Sequence, residues 1–535
     1  MAVTEKLHAV SVLRRAGLLD LRRPLLTAQT SLAMRRLGPI AGAAHIAARR
    51  DPADVALIDE LGQLTYGDLD RRANSLARAW FAAGLKPGVV VGVLCRGHRG
   101  AADAMVACGK FGARLVLLNT GFSRVQLADV AAREGVSVLV YDAEFGPLLS
   151  SVHAGVRRFV AWGKDVDAEA SLDELVCGTD GSGFGPPAEQ AGMVLLTGGT
   201  TGTPKGAPRQ VRSPLIAAQF LERVPLRRGD VVYIAAPIFH GTGLTQFIMT
   251  LALGSTMVLQ RRFDALTTLR GVAEHRATAL IVVPTMLQRI LALGPDVLKA
   301  YDTSSLRVLM SAGALLPTDL GNRAMEVFGP VLHNLYGSTE VAVAAVAMPA
   351  DWQAAPGCAG RPPHGCRVRL YDDAGRAVTS AGTTGRIFVG NGLAFKGYTG
   401  GGTKEMIDGL LSTGDLGHFD SGGRLFVDGR DDDMIVSGGE NVFPVEVENL
   451  VEAMPGVAEV AALGVPDEEF GQRLRLFVVK DPGSSLDAEA IKSHVRQNLA
   501  RFKVPRDVVF LDELPRTATG KVARRLLPLT TEGRA

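Results

Sequence analysis

A short stretch rich in glycine, threonine and lysine follows an apolar run near the middle of the chain: residues 195–206 read LLTGGTTGTPKG. Glycines let backbone N–H groups approach an anion closely, and threonine hydroxyls add hydrogen-bond donors. Lys205 adds a positive charge, and Pro204 stiffens the chain at the exit of the stretch. The stretch differs from the G-x-x-x-x-G-K-[ST] loop of the common nucleotide hydrolases. It therefore predicts a phosphate-binding loop of another kind.

Four further clusters of polar residues follow this loop in order along the chain. They read YGSTE (336–340), STGD (412–415), GRDDD (429–433) with SGG (437–439), and PRTATGK (515–521). Each cluster has an ordinary structural explanation when it is taken alone: a buried tyrosine, an aspartate in a turn or a surface arginine. These separate explanations do not account well for the occurrence of all the clusters together in this order. The clusters are therefore candidates for one functional site.

The ordered set of five motifs resembles that of the adenylate-forming superfamily, which comprises acyl-CoA synthetases, adenylation domains and luciferases. The resemblance covers roughly residues 45–525 and is greatest to bacterial fatty-acid–CoA ligases. It implies an enzyme that joins a carboxylate to ATP, giving acyl-adenylate and pyrophosphate, and then moves the acyl group to the thiol of CoA. It further implies a medium- or long-chain fatty acid as the substrate, ATP and CoA as co-substrates, and Mg²⁺ as the cofactor.

The resemblance also assigns residues to the nucleotide. It implies that Glu340 holds Mg²⁺ with Thr197 nearby, which suits a hard cation that prefers oxygen ligands. Tyr336 is expected to stack on adenine, and Asp415 to accept both ribose hydroxyls with Arg430 as a further donor. Family loops usually have Ser or Thr where this chain has Gly198. The residues assigned to ATP and AMP binding are Thr197, Gly199, Thr200, Thr201, Gly202, Lys205, Gly313, Tyr336, Gly337, Thr339, Asp415 and Arg430.

Lys521 is the candidate catalytic residue of the first step, together with Glu340. Attack on the α-phosphate builds negative charge while two anions approach each other, and a positioned ammonium neutralises both; losing one such contact typically costs about 10²–10³ in rate. The resemblance implies that the small C-terminal domain rotates about Asp432 between the two steps. Lys521 then leaves, and a Ser-Gly-Gly segment faces the pantetheine tunnel of CoA. That segment is Ser437, Gly438 and Gly439.

The segment PIFHGTG (237–243) resembles the part of the family that lines the acyl group. His240 and Gly241 are the candidate pocket residues, although a histidine packed in the core fits the sequence about as well. Amino-acid-activating members usually carry an Asp here to hold the substrate ammonium, and residues 237–246 contain none. The sequence therefore favours an acid without an amino group, and the uncharged segment that follows suits an aliphatic chain.

Two alternatives remain open at this point. A fatty-acyl-AMP ligase would pass its product to a carrier protein instead of CoA. A catalytically weak acyl or nucleotide binder would retain the fold alone, and Gly198 is the one departure in its favour. Retention of Lys521, Glu340 and Asp415 favours an enzyme.

The elements that must position these motifs follow a regular alternation. Apolar spacing predicts helices over 66–85, 101–111 and 125–133, separated by strands over 89–94, 114–118 and 136–141. This alternation predicts a mostly parallel sheet covered by helices. Residues 366–430 change to short β-rich pieces with Gly turns, and the last 95 or so residues carry their own small α/β pattern.

The expected fold is therefore α/β, in three parts. Residues 1–40 form a basic N-terminal arm, residues 41–429 a large N-terminal domain of parallel sheets and helices with a β-rich subdomain, and residues 430–535 a small, mobile α+β domain. A chain of 535 residues agrees with more than one domain, since single cores rarely grow beyond about 250–300 residues.

Charge separates the arm from the rest of the chain. Residues 1–40 carry seven Lys or Arg against two acidic residues, whereas the remainder has 51 basic and 53 acidic residues. A near-neutral body excludes a general polyanion binder, so no nucleic-acid partner is expected. The arm predicts either a solvated helical segment packed on its own domain or a weak contact with an anionic membrane surface.

The remaining features concern the compartment. Five scattered cysteines without a CxxC pair indicate reduced thiols, and the N-terminus shows no secretory pattern, so a cytoplasmic protein is expected, with any membrane contact peripheral. Residues 231–260 contain no charged side chain, but Gly, Pro and His interrupt them, which predicts a buried strand, turn and helix rather than a membrane span. The oligomeric state, a homodimer included, stays open.

Overall fold

The computed structural model describes residues 3–19, 24–165, 168–197, 204–209, 217–395, 397–431, 435–437, 440–467, 471–499, 503–517 and 521–528. Two helices, α1 (Val3–Ala16) and α2 (Pro24–Arg50), come first. In α2 the chain kinks at Gly38, whose φ is 81°, next to Pro39. Val12 and Leu13 of α1 are buried in the same core as the sheets that follow, and Arg14 and Arg15 face outward.

Residues 55–209 build the first helix-covered sheet and the edge of a second one. The elements are β1 (Val55–Asp59), β2 (Gly62–Thr65), α3 (Tyr66–Ala82), β3 (Val90–Leu94), α4 (Arg99–Phe111), β4 (Arg114–Leu117), α5 (Arg124–Glu134), β5 (Val138–Asp142), β6 (Arg157–Trp162), β7 (Ala170–Ser171), α6 (Leu172–Cys177), β8 (Met193–Leu196) and β9 (Gly206–Arg209). The predicted alternation over 66–141 is confirmed, and local signals explain its boundaries. Thr65 and Ser123 cap α3 and α5 through capping boxes, while left-handed Gly112 and Gly135 end α4 and α5.

Residues 217–354 complete the second sheet. The elements are α7 (Ala217–Leu221), β10 (Val231–Ile234), α8 (Gly241–Leu253), β11 (Thr256–Leu259), α9 (Ala265–Glu274), β12 (Ala279–Val282), α10 (Pro284–Leu291), α11 (Pro295–Lys299), β13 (Val308–Ala312), α12 (Thr318–Phe328), β14 (Leu332–Tyr336), β15 (Ala345–Ala347) and α13 (Pro349–Ala354). The uncharged segment 231–260 forms the predicted buried strand, turn and helix, and a second strand, β11, follows the helix within it. Within the described residues, we find no helix that combines the length and apolarity needed to cross a bilayer.

The two helix-covered sheets are mainly parallel. The described strands of one sheet run in the order β7-β6-β5-β3-β4-β8-β9, and those of the other in the order β15-β14-β13-β12-β10-β11-β1-β2. Only the pairs β8–β9, β14–β15 and β1–β2, at the edges of the described sheets, are antiparallel. Since parallel strands end at the same edge, the loops after β13 and β14 meet there, as α/β sheets favour for ligand sites.

An antiparallel sheet and a small terminal unit follow. The antiparallel sheet comprises β16 (Arg367–Tyr371), β17 (Ala377–Val378), β18 (Gly385–Gly390), β19 (Met406–Ile407), β20 (Leu410–Phe419) and β21 (Leu425–Arg430). The terminal unit comprises β22 (Ile435–Ser437), β23 (Glu440–Val442), α14 (Pro444–Glu452), β24 (Val457–Asp467), β25 (Gly471–Lys480), α15 (Ala488–Asn498) and β26 (Asp507–Phe510). The expected α/β fold, with a β-rich part and a smaller C-terminal unit, is confirmed.

The terminal unit has a core of its own. Ile435, Val447 and Leu476 belong to one buried cluster that contains only residues of this unit. A hydrogen bond from Gln288 Nε2 to the Ala458 carbonyl, 2.9 Å long, joins it to the N-terminal part. The domain limits at residues 40 and 429 stay predictions, although the first lies inside α2.

Candidate active site

Glu340 lies in the loop that follows β14, where its side chain is 9% exposed. Its Oε2 accepts a hydrogen bond from the Ser338 hydroxyl at 2.9 Å, and its Oε1 accepts one from the Tyr398 hydroxyl at 2.7 Å. A nearly buried carboxylate among oxygen-bearing side chains is the donor chemistry that a hard divalent cation prefers. These residues therefore fit the Mg²⁺ that the motif resemblance implies.

The turn that carries Glu340 depends on a glycine. A Cβ atom on Gly337 would lie 1.8 Å from the carbonyl oxygen of Ala342, so a larger residue has no room. Ala342 itself has a φ of 61°, a left-handed conformation that is unfavourable for alanine. The predicted site residues Gly337 and Thr339 thus belong to a tight turn that fixes the direction of the carboxylate.

Arg209, at the end of β9, also reaches this turn. Its guanidinium donates to the backbone carbonyls of Thr339 and Leu393. Burial lowers the pKa of Arg209 to about 10, and the nearby charge of Glu340 opposes this effect. Arg209 was not predicted as a site residue, although its position shortly after the phosphate-loop motif was a usable signal.

The structure describes the two ends of the predicted phosphate loop. The Thr197 amide donates to the Lys205 carbonyl at 2.9 Å, and the Lys205 amide donates to the Thr197 hydroxyl oxygen at 3.2 Å. The antiparallel pair β8–β9 therefore closes the base of the loop. Gly199, Thr200, Thr201 and Gly202, with Gly198, lie outside the described residues.

Tyr398 connects this loop to Glu340. The Lys205 ammonium lies 5.2 Å from the centroid of the Tyr398 ring, while the Tyr398 hydroxyl donates to Glu340. The next residue, Thr399, donates from its amide to the Gly206 carbonyl at 2.9 Å and from its hydroxyl to Glu134 Oε1 at 2.8 Å. Tyr398 thereby links the base of the phosphate loop, where Thr197 pairs with Lys205, to Glu340. Tyr398 was not predicted, because no polar cluster surrounds it in the sequence.

The residues expected at the ribose and the base meet at β14, β20 and β21. Asp415 and Arg430 face each other in the β20–β21 pairing, with Arg430 Nη1 3.4 Å from Asp415 Oδ1. The Tyr336 hydroxyl donates to Asp415 Oδ2 at 2.6 Å and lies 3.1 Å from the Thr413 hydroxyl oxygen. Burial raises the pKa of Asp415 despite these partners. The Tyr336 hydroxyl thus orients the Asp415 carboxylate, while the side chain packs against an apolar cluster that includes Val341 and Ile387.

Lys521 reaches the same place from the C-terminal unit. Lys521 is exposed at the surface. The protein around it nevertheless removes part of the water from its ammonium, and this desolvation lowers the pKa of that group. The negative charge of Asp415 opposes the shift and the positive charge of Arg430 adds to it. The pKa of His240 falls to about 4, mainly through burial and also through the charge of Lys521. The structure therefore brings together a lysine, an aspartate, an arginine and a histidine that lie far apart in sequence.

The candidate acyl region begins at His240, which precedes α8. Gly241 opens the helix, and Nε2 of His240 is buried without a hydrogen-bond partner among the described residues. Gly313, with a φ of 92°, follows β13, and a Cβ atom placed on it would lie 3.4 Å from the Thr242 hydroxyl oxygen. The start of α8 and the end of β13 therefore lie against each other and form one side of the site, near Lys521.

The structure describes only one of the residues predicted to form the hinge and the CoA tunnel. Ser437 forms the end of β22, where it pairs with Glu440 and Gly471. Asp432, Gly438 and Gly439 lie outside the described residues. Their roles as hinge and as CoA tunnel stay predictions.

Comparison with known proteins identifies the chain's relatives. The AMP-binding enzyme family matches residues 45–399, and the AMP-binding enzyme C-terminal domain matches residues 446–521. A feruloyl-CoA synthase from Amycolatopsis sp is 34% identical over 483 residues, which cover 89% of this chain and 96% of that protein. The fatty acid–[acyl-carrier-protein] ligase ScoC from Streptomyces coeruleorubidus is 32% identical, with 90% of this chain and 94% of that protein covered.

A solved structure agrees with these matches. The anthranilate CoA ligase AuaEII, in complex with anthranoyl-AMP, superposes with a TM-score of 0.82 at 27% identity, over 90% of this chain and 96% of that one. The match extends over both the N-terminal part and the smaller C-terminal unit that brings Lys521 to the site. With its adenylate-forming fold and these matches, the chain belongs to the AMP-binding enzyme family, among its AMP-forming acid–CoA ligases.

Proposed function

We propose that this chain activates a carboxylic acid with ATP to give an acyl-adenylate and pyrophosphate, and then transfers the acyl group to CoA with release of AMP. One observation carries the proposal: the ammonium of Lys521 lies close enough to Asp415, Arg430 and His240 of the N-terminal part for their charges and its own to affect one another's pKa values. A cation held next to ribose- and phosphate-binding groups is what adenylate formation requires.

In the first half-reaction, a carboxylate oxygen of the acid bonds to the α-phosphorus of ATP. The bond from that phosphorus to the bridging oxygen breaks, and pyrophosphate leaves. Lys521 would neutralise the charge that builds on the phosphoryl oxygens, and Asp415 with Arg430 would hold the ribose. Bound Mg²⁺, with Glu340 and Thr197 as its protein ligands, would supply charge neutralisation at the phosphates.

In the second half-reaction, the sulfur of CoA attacks the carbonyl carbon of the adenylate, and the bond from that carbon to the AMP oxygen breaks. The thiol has to reach a carbonyl carbon that would lie next to Lys521, because Lys521 is expected to act on the adjoining phosphoryl group. We therefore infer that the C-terminal unit rotates after the first step, with Asp432 as the hinge and Ser437–Gly439 at the pantetheine.

The acid, we infer, has an aromatic acyl part. The curated relative acts on a feruloyl group, and the structural neighbour holds anthranoyl-AMP. The apolar wall of α8, with buried Leu244 and Phe247, suits a ring. A medium- or long-chain fatty acid is the alternative, and the relative ScoC favours it in combination with a carrier protein as the acceptor.

Pyrophosphate release from ATP tests these proposals together. Cinnamate, 4-hydroxycinnamate, 2-aminobenzoate, octanoate and dodecanoate are each supplied without acceptor, with CoA, and with a phosphopantetheinylated carrier protein. Turnover that needs an aromatic acid and CoA is the expected result. Turnover with the fatty acids alone would overturn the aromatic assignment, and turnover only with the carrier protein would identify an acyl-AMP ligase. No adenylate with any acid, by mass spectrometry at single turnover, would favour a silent binder.

A further inference from the structure

Helix α8 and strand β13 lie against each other beside the candidate site. Thr242 and Gln246 are four residues apart on α8 and therefore lie on one face of the helix, one turn from each other. Thr242 is the residue that approaches Gly313 at the end of β13. Gln246 Nε2 contacts the sulfur of Met310, three residues before Gly313, at 3.3 Å. The Gln246 amide therefore lies one layer deeper than the mouth of the site.

Gln246 is a polar residue in an apolar setting. It is 0% exposed, and its neighbour in sequence Phe247 and its contact residue Met310 both belong to the main hydrophobic core. The Oε1 atom of Gln246 is buried and has no hydrogen-bond partner among the described residues. Among the described residues, its amide nitrogen contacts a thioether sulfur, which is a weak acceptor.

An amide left in this state is costly for the folded protein. A buried donor or acceptor without a partner destabilises the folded protein, whereas an apolar residue of similar shape can be nearly neutral. The helix could carry leucine or methionine at this position without loss of packing. A ligand group that completes the hydrogen bond gives a reason for glutamine, and the depth of the side chain places that group at the inner end of the acyl site.

We propose that Gln246 is a specificity-determining residue, whose amide oxygen accepts a hydrogen bond from a hydroxyl or amine on the acyl part of the acid. The substrate class is then an acid whose ring or chain carries a hydrogen-bond donor away from the carboxylate. The offset of one helical turn, about 5.4 Å, corresponds to roughly one aromatic ring between the two groups. This inference rests on the proposed ligase function, whose acyl site it describes.

Matched pairs of acids test it in the whole enzyme. The pairs are cinnamate with 4-hydroxycinnamate, 3-phenylpropionate with 3-(4-hydroxyphenyl)propionate, and octanoate with 8-hydroxyoctanoate. In at least one pair the wild-type protein should prefer the hydroxylated acid by about 10- to 100-fold in kcat/KM. The Q246M variant, which removes the amide and keeps the length, should lower that ratio to near one.

A second glutamine provides the control. Gln190 also has a buried Oε1 without a partner among the described residues, but its amide lies against Gly38 at the kink of α2. The Q190M variant should keep the wild-type ratio. Thermal melting of both variants checks their folding, and Q246L replaces Q246M if the latter does not fold.

Binding of inert analogues separates this inference from the proposed function. Acyl-sulfamoyl adenosines that carry the same pairs of acyl groups are titrated by calorimetry, without ATP or CoA. If the wild-type protein binds the hydroxylated analogues more tightly, Q246M removes this preference, and no thioester forms, the result would support the role of Gln246 and contradict the ligase function. Thioester formation with no discrimination in any pair, or a preference that Q246M leaves unchanged, would overturn the role of Gln246.

Discussion

At the scale of single residues, the site depends on contacts between side chains of distant motifs. The carboxylate of Glu340 takes one hydrogen bond from its own loop and one from Tyr398, whose ring lies under Lys205. Tyr398 is a positioning residue in this arrangement, since it touches the residues expected at the metal and the phosphates. Lys521 is the residue expected to act on the reacting atoms.

The variant Y398F should raise the Mg²⁺ concentration needed for half-maximal adenylate formation by about 10- to 100-fold. The substitution keeps the ring under Lys205 and removes a hydrogen bond to a charged group, which contributes about 1.5–3 kcal/mol. Mg²⁺ titration of pyrophosphate release measures the effect. Y371F is the matched control, because it loses a 2.7 Å hydrogen bond to Asp408 outside the site. Equal Mg²⁺ dependence in Y398F and Y371F would contradict the role of Tyr398.

The variant K521A should slow adenylate formation by about 10²–10³ and leave thioester formation from supplied acyl-adenylate nearly unchanged. The reason is that the ammonium acts on the phosphoryl group and has to leave before CoA enters. Rapid-quench measurement of each half-reaction checks the division. K480A removes an exposed lysine of the same unit, whose ammonium lies over Phe510, and should affect neither step. An equal loss in both half-reactions of K521A would refute the assignment.

At the scale of elements, the turn after β14 decides where the carboxylate of Glu340 points. Gly337 has backbone directly beside it, and Ala342 adopts a left-handed conformation five residues later. Backbone strain of this kind persists only where the surrounding structure fixes it, and it often occurs at functional sites. We therefore expect the site to tolerate changes in the geometry of this turn poorly.

The variant G337A should lower the melting temperature and nearly abolish adenylate formation. A methyl group 1.8 Å from a backbone oxygen forces the turn to move, and overpacking of this kind costs about 1–3 kcal/mol. Calorimetric melting and pyrophosphate release are measured together. Gly183 has open space around its Cβ position, so G183A serves as the control and should behave like the wild type. Activity of G337A close to that of G183A would show that the turn accommodates the methyl group.

At the scale of the whole molecule, the contact between the two parts contains a cluster of carboxylates. Burial raises the pKa of Glu452 on α14 to about 7, and the charges of Glu448, Asp319 and Glu459 add to the shift while Arg516 opposes it. Asp319 belongs to α12 of the N-terminal part. Part of the raised pKa therefore depends on the arrangement in which Lys521 occupies the site.

Lowering the pH from 8 to 5.5 should favour this arrangement. Glu452 takes up a proton near pH 7 here, but nearer its ordinary pKa once the C-terminal unit moves away, so the arrangement gains stability as the pH falls. The ratio of the adenylation rate to the thioester rate should rise accordingly. The E452Q variant should flatten this profile, whereas E489Q, at an exposed position on α15, should keep it. A profile that E452Q leaves intact would contradict the role of Glu452.

The N-terminal helices present a second feature of the whole molecule. Their inner faces are buried, while Leu7, Leu25 and Leu32 are 65%, 79% and 49% exposed. Four arginines in the first 36 residues also face outward on these helices: Arg14, Arg15, Arg35 and Arg36. Binding of this face to an anionic membrane surface remains a prediction.

Replacing these four arginines by glutamine should abolish binding to phosphatidylserine vesicles at low salt, since each basic residue near such a surface contributes about 1 kcal/mol. Deleting residues 1–40 is a poor test, because it also removes buried Val12 and Leu13. Co-sedimentation measures the binding, and Arg270 and Arg323, exposed on other helices, provide the matched control substitutions. Unchanged sedimentation of the fourfold variant would exclude the membrane role of this face.

The sequence by itself determined the fold class, the order of the elements from 66 to 141, and the chemistry of each motif. Helix caps, left-handed glycines and apolar periodicity act between residues that are close along the chain, so they can be read from the sequence. The order of the motifs likewise indicated the adenylate-forming family. It did not determine the acid, because an apolar pocket discriminates weakly and its lining comes from several elements.

Only the tertiary structure decided which side chains meet. Arg209, Tyr398 and Gln246 stand in none of the five motifs, and they contact residues far away in sequence, at a separation of 184 residues for Arg209 and Leu393. The approach of Lys521 to Asp415 likewise depends on how two separate cores pack. The pKa of a group also depends on how deeply the group is buried in the folded protein, and local sequence does not determine that depth. The chemistry of the site was therefore predictable from its motifs, whereas its geometry followed from long-range packing.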